Sequence, residues 1–176
     1  MDETASTFTD ERDGQTYRTV KIGNQVWMAE NLRFNVGDSS WYYQGNEDNC
    51  NKYGRLYTWD AAKKACPAGY HLPSREEWDD LVAATGGDVA GKILKSKSGW
   101  DENGNGTDDY GFSALPGGYR CSDGTLYGAG YYGYWWTVAE STSNYAYYRR
   151  MSYDGDDVYE YNNYKSNGYS VRCVAD

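Results

Sequence analysis

Most of the side chains that could do chemistry in this sequence are tyrosines. There are 20 of them, and 12 lie between Tyr127 and Tyr169. A phenol offers a large apolar ring and one hydroxyl that can donate or accept a hydrogen bond. Tyr145, Tyr147, Tyr153, Tyr159, Tyr161 and Tyr164 are interspersed with short polar residues, among them Asp154, Asp156 and Asn163. Tyr, Asn, Ser, Asp and Gly in such a mixture make a binding surface. The rings supply rigid contact area at low entropy cost, and the short residues adapt their hydrogen bonds. Those nine residues are the expected ligand-binding set. A plainer reading competes with it, in which Tyr fills half-buried strands because of its β-propensity.

A second segment is rich in hard oxygen donors. Asp101, Asn103, Asn105 and Asp109 fall at the alternating spacing of a calcium loop, with Gly106 at the turn. The bidentate Glu that such a loop ends on is replaced by Phe112. A polar Asn-Gly turn explains the same residues. Calcium is the one cofactor this sequence fits, and the binding reading does not require it.

The cysteines are Cys50, Cys66, Cys121 and Cys173, with no close pair among them, and His71 is the single histidine. Zinc ligands usually come in close pairs, so disulfides in an oxidising compartment are the better reading. Spacing alone leaves every connectivity open. One histidine, in what reads as a helix-entry turn, makes no nucleophilic triad, and no carboxylate pair stands out as a general acid and base. The chain is expected to bind rather than to catalyse.

Composition narrows the partners. The net charge is −9, which argues against nucleic acid, because phosphate contacts need clustered Lys and Arg. No apolar run approaches the roughly 20 residues that span a bilayer. The expected partner is therefore a glycan or a surface protein. No secretion signal is present. We read the chain as one whose export signal has been removed, acting in secreted form or at the cell surface.

The elements that must position these residues are legible in part. Residues 1–8 read as a flexible lead-in and residues 9–176 as a single domain of the 176-residue chain. Val20 and Ile22, the Gly23-Asn24 turn and then Val26 and Trp27 predict a hairpin. Residues 35–52 read as irregular. Residues 58–65 predict a first helix. Ser74 and Glu77 form a capping box ahead of the Trp78, Leu81 and Val82 stripe, which predicts a second. Beyond residue 99, turn residues punctuate aromatic strands at 131–138, 145–153, 158–164 and 169–174. Helices early and antiparallel strands late predict an α+β fold. Trp135 and Trp136 are expected in the core, Arg149 and Arg150 on opposite faces of one strand, and Arg172 pointing to solvent or a salt bridge.

The run from Trp59 to Cys66, followed by Gly69, Leu72-Pro73-Ser74 and Glu77-Trp78, resembles the C-type-lectin-like signature. The stretches 13–17, 21–32, 52–59, 65–74, 111–120, 133–137 and 170–174 look more closely like the Fibrobacter succinogenes major paralogous domain, a bacterial branch of that fold. The resemblance runs from about residue 8 to the end. It implies a loop-rich C-type-lectin-like fold, with two helices packed on short antiparallel strands. It implies a disulfide between Cys66 and Cys173, and with it a second between the remaining Cys50 and Cys121. The calcium and sugar motifs of true C-type lectins are absent. In some members of the fold the region matching the Tyr-rich segment is diversified by a retroelement that mutates adenines. That would make this a variable protein-binding surface, the alternative to a glycan site. Sulfatase-modifying oxidases share the fold and imply an enzyme, for which Cys121 and Cys173 are the one cysteine pair to propose. A spacer role within a larger exported protein is a further alternative.

Overall fold

The computed structural model describes residues 5–176. It is an α+β chain with two five-stranded sheets. The first sheet begins with β1 (Ala5–Thr9), β2 (Thr16–Ile22) and β3 (Gln25–Met28). β2 and β3 form the hairpin expected from Gly23-Asn24, with Gly23 at a positive φ that glycine adopts without strain. β1 corrects the reading of residues 1–8 as a lead-in. It pairs antiparallel with β2, and its Phe8 ring packs 4.5 Å from Tyr70. Thr7 and Thr9 favour the extended chain, and Phe8 ties it to the core. Residues 1–4 lie outside the described residues.

Next come β4 (Ser40–Trp41), α1 (Glu47–Tyr53), β5 (Leu56–Tyr57), α2 (Trp59–Ala65), β6 (Tyr70–His71), α3 (Arg75–Ala84) and α4 (Ala90–Leu94). α1 falls inside the segment expected to be irregular. Asn46 caps it by accepting the Asp48 N–H, and Glu47 and Asp48 favour its positive end. Tyr53 is its only buried residue, so it carries no apolar stripe to read. α2 and α3 match the expected helices, capped by Thr58 and by the Ser74–Glu77 box.

The second sheet holds β7 (Gly117–Arg120), β8 (Leu126–Ala129), β9 (Tyr132–Glu140), β10 (Tyr145–Ser152) and β11 (Tyr159–Tyr164), in the order β11-β10-β9-β7-β8. β12 is only Val174–Ala175, in the first sheet between β3 and β6. The preceding residues do not form the strand expected at 169–174. They bond to both sheets instead. Ser170 exchanges backbone hydrogen bonds with Tyr134 and Trp136, while the N–H groups of Leu32 and Met28 donate to Val171 and Cys173.

The core has two clusters, and β9 divides them. Trp135 packs with Val20, Trp27, Trp78, Leu81, Leu94 and Phe112. Trp136 packs with Tyr17, Met28, Leu32, Tyr57, Trp59 and Tyr169. Adjacent residues of a strand point to opposite faces, so one Trp-Trp pair anchors both sides of the sheet.

Arg172 departs from expectation. It is 1% exposed and makes no salt bridge among the described residues. Its guanidinium donates to the carbonyl oxygens of Phe112 and Ser113 and to Asn31 Oδ1, and lies 4.3 Å from the Phe112 ring centroid. Burial pulls its pKa down to about 9. The extended chain at 170–173 runs between the sheets, so neither of its faces reaches solvent.

The Cys66–Cys173 disulfide is formed, across 107 residues. The expected Cys50–Cys121 bond is not, and both thiols are free. Cys50 borders a cleft lined by Asp13, Arg33, Tyr42 and Arg55. Cys121 opens the β7–β8 turn, where its N–H donates to Thr125. With Cys173 bonded to Cys66, no cysteine pair of Cys121 and Cys173 is available.

Two predictions follow the fold. Replacing Cys66 and Cys173 together with Ala should lower stability by about 2–5 kcal/mol, read by denaturant unfolding; an unchanged midpoint and slope would show that the long loop adds nothing. His71 gives a pH dependence. Burial opposes its charge, but hydrogen bonds of 2.7 Å to Asp176 and to Glu77 outweigh it and raise its pKa above the ordinary value. The protonated ring is thus favoured in the folded state. That stabilisation is complete below about pH 6.5 and fades as pH rises through the higher folded value. Thermal melts from pH 6 to 8.5 should fall for the native chain and stay flatter for His71→Gln.

Candidate functional site

The register of β9, β10 and β11 sorts the tyrosines. Tyr148 lies opposite Tyr161 and Trp136, and Arg150 opposite Tyr159 and Tyr134. These side chains therefore share one face with Asn163 and Tyr132. Tyr145, Tyr147 and Arg149 share the other face with Tyr164, Asn162 and Glu160.

The first face is a continuous field of rings. Tyr119 lies 5.4 Å from Tyr127 and 5.0 Å from Tyr134, centroid to centroid. Tyr134 continues to Tyr132 and Tyr148, Tyr148 to Tyr161, and Tyr161 to Tyr159. Exposure is graded across it. Tyr134 and Tyr148 are buried, Tyr119, Tyr132 and Tyr159 are half-buried, and Tyr127 and Tyr161 are 47% and 44% exposed. Such spacing fits edge-to-face and offset ring contacts, worth about 0.5–1.5 kcal/mol each beyond burial. The surface rings thus rest on fixed rings beneath them.

Burial pushes the Tyr119, Tyr134 and Tyr148 phenols above their ordinary value, against the nearby Arg150 charge in the last two. A hydrogen bond to Asp157 does the same for Tyr159. The Tyr159 hydroxyl donates to Asp157, and Tyr134 and Tyr148 are buried, so the hydroxyls open to a ligand are those of the exposed Tyr127 and Tyr161. Arg150 stands among the rings, 5.1 Å from Tyr161, 5.2 Å from Tyr159 and 5.5 Å from Tyr132.

The opposite face is occupied by ion pairs at its centre, while Tyr164 at its edge is 51% exposed. Arg149 bonds to Asp79 at 2.8 Å and Glu160 at 2.7 Å, and Arg75 bonds to Glu160 at 2.6 Å. Arg75 also lies 4.0 Å over the Tyr147 ring. Tyr145 and Tyr164 pack on each other at 4.6 Å.

The nine residues expected at the site are therefore split. Tyr159, Tyr161 and Asn163 lie on the platform. Tyr153 sits at its margin against Tyr131 and Tyr132. Tyr145, Tyr147 and Tyr164 belong to the other face. Asp154 and Asp156 lie in the β10–β11 turn. Asp154 accepts from Ser152, and the Asp156 carbonyl accepts the Lys92 N–H. Sequence reasoning missed Tyr119, Tyr127, Tyr132, Tyr134, Tyr148 and Arg150 as members. Alternation within 132–136 and 148–150 was their signal, but it needs the strand register to be used.

That turn is held from below. Lys95 is 2% exposed and donates to the Ser152 and Gly155 carbonyls, both at 2.9 Å. Gly91 lets the Asp156–Asp157 backbone approach so closely that a Cβ there would lie 2.4 Å from the Asp157 oxygen.

The 101–109 segment wraps the end of α4. The N–H groups of Gly106, Thr107 and Asp109 donate to Ser96, Lys92 and Ile93, supplying carbonyls that a helix end leaves unpaired. The Asn105 side chain accepts the Trp100 N–H, and Asp101 donates its own N–H to Gly130. Asn103 stands at a positive φ. Among the described residues, no three His, Cys, Asp or Glu side chains gather as a metal site.

No curated protein and no solved structure matches the chain. The model of the Fibrobacter succinogenes major domain matches residues 20–175, from β2 through β12, and the chain belongs to that family.

Proposed function

We propose that the chain is an exported binding module of the C-type-lectin-like fold, whose glycan ligand lies across the tyrosine platform. The observation that carries this reading is the graded field of rings from buried Tyr134 and Tyr148 to exposed Tyr127 and Tyr161. The C–H faces of a sugar stack on such rings, while its hydroxyls meet phenol hydroxyls and Asn163. Rings already fixed by their neighbours lose little freedom on binding. A disulfide between Cys66 and Cys173 suits an oxidising compartment outside the cell. Calcium, if it takes part, enters through Asp101, Asn103, Asn105 and Asp109.

A protein ligand is the second reading, favoured by the Tyr and Arg content of the same face. Those residue types dominate the energetics of protein interfaces. A polysaccharide binding array, run with calcium and with chelator, separates the two. Selective glycan binding should weaken about tenfold in Tyr161→Ala and in Tyr159→Ala. Loss of binding in the chelator lane would bring in the 101–109 segment. Folded protein that binds no glycan in either lane would overturn the glycan reading in favour of a protein partner.

A further inference from the structure

Adjacent arginines on β10 are treated in opposite ways. Arg149 is 4% exposed and its charge is met by Asp79 and Glu160. Arg150, on the platform face, makes no ion pair among the described residues; its buried Nε, like that of Arg149, has no hydrogen-bond partner. The chain carries a net charge of −9; Arg12, Arg18, Arg33, Arg75 and Arg149 reach carboxylates, Arg55, Arg120 and Arg172 do not among the described residues, and of the unpaired four only Arg150 stands among the Tyr132, Tyr159 and Tyr161 rings of the platform. Asp157, beside this face, is engaged by the Tyr159 hydroxyl. A guanidinium left unpaired among rings, partly withdrawn from water, is matched by an anion. Its planar fork fits a carboxylate with two parallel hydrogen bonds.

We propose that the platform recognises an acidic sugar, with a uronate carboxylate on Arg150 and the sugar ring on Tyr159 and Tyr161. This rests on the glycan reading above and adds the charge of the ligand to it. Neutral sugars would use the rings alone. Acidic ones would also give Arg150 the partner that the protein withholds.

The test compares one polymer in two charge states. Binding of the whole chain to polygalacturonate and to its fully methyl-esterified form is measured by calorimetry, with neutral galactan alongside. The acid form should bind at least tenfold tighter than the ester, and the difference should shrink as salt is raised. Arg150→Gln should reduce the affinity for the acid to that for the ester, and Arg150→Lys should restore part of the difference. Arg18→Gln removes the same charge from outside the platform and should leave the preference intact. Thermal melts confirm that each variant is folded. Equal binding of acid and ester by the native chain would overturn the proposal while leaving the glycan reading standing. A preference that survives Arg150→Gln would also overturn it. Failure to bind any of the three polymers would sink both.

Discussion

Arg172 is the residue on which the two halves of the molecule converge. A buried cation without a carboxylate is costly, and here backbone carbonyls, one carboxamide and one aromatic face stand in for water. Asn31 is the shared partner. Its oxygen accepts from Arg172 and from the Trp135 indole, and its amide donates to the Tyr53 carbonyl. One side chain thereby joins the end of α1, the β9 strand and the last stretch of the chain. The next residue, Cys173, is bonded to Cys66 at the end of α2. Removing either Arg172 or Asn31 would leave several buried polar groups unpaired at once, which costs far more than a single lost hydrogen bond.

From that centre the platform follows. The segment 170–173 fixes Tyr134 and Trp136 by backbone bonds, and those two carry the inner layer of rings. β9 sends Trp135 into one cluster and Trp136 into the other, so the face that meets solvent is set by the same alternation that builds the core. The contrast between the faces of β10 is chemical. One is saturated with ion pairs from α3 and β11, and the other keeps phenols and an unpaired cation at its surface.

The fold was more legible than the site. The capping box at Ser74 and Glu77, the Gly23-Asn24 turn and the Trp-Trp pair are local signals, and each is found where its residues predict. α1 was hidden because it rests on polar caps with one buried residue. The role of Arg172 was hidden because alternation with Val171 and Cys173 implies an outward side chain, and only contact with both sheets removes that outside. At the candidate site, composition pointed to one region but merged two surfaces. Tyr147 and Tyr159 look equivalent in the sequence. Only the pairing of Tyr147 with Asn162 and of Arg150 with Tyr159 separates them.

The clamp beneath the β10–β11 turn acts almost wholly on backbone atoms. Lys95 grips the carbonyls of Ser152 and Gly155, α4 grips that of Asp156, and Gly91 removes the one side chain that would keep them apart. None of these contacts depends on which side chains the platform strands display. Substitutions at the outer positions, Tyr159, Tyr161 and Asn163, should therefore have little effect on the path of the chain. The inner rings and the buried arginine, by contrast, stay under the constraints of folding.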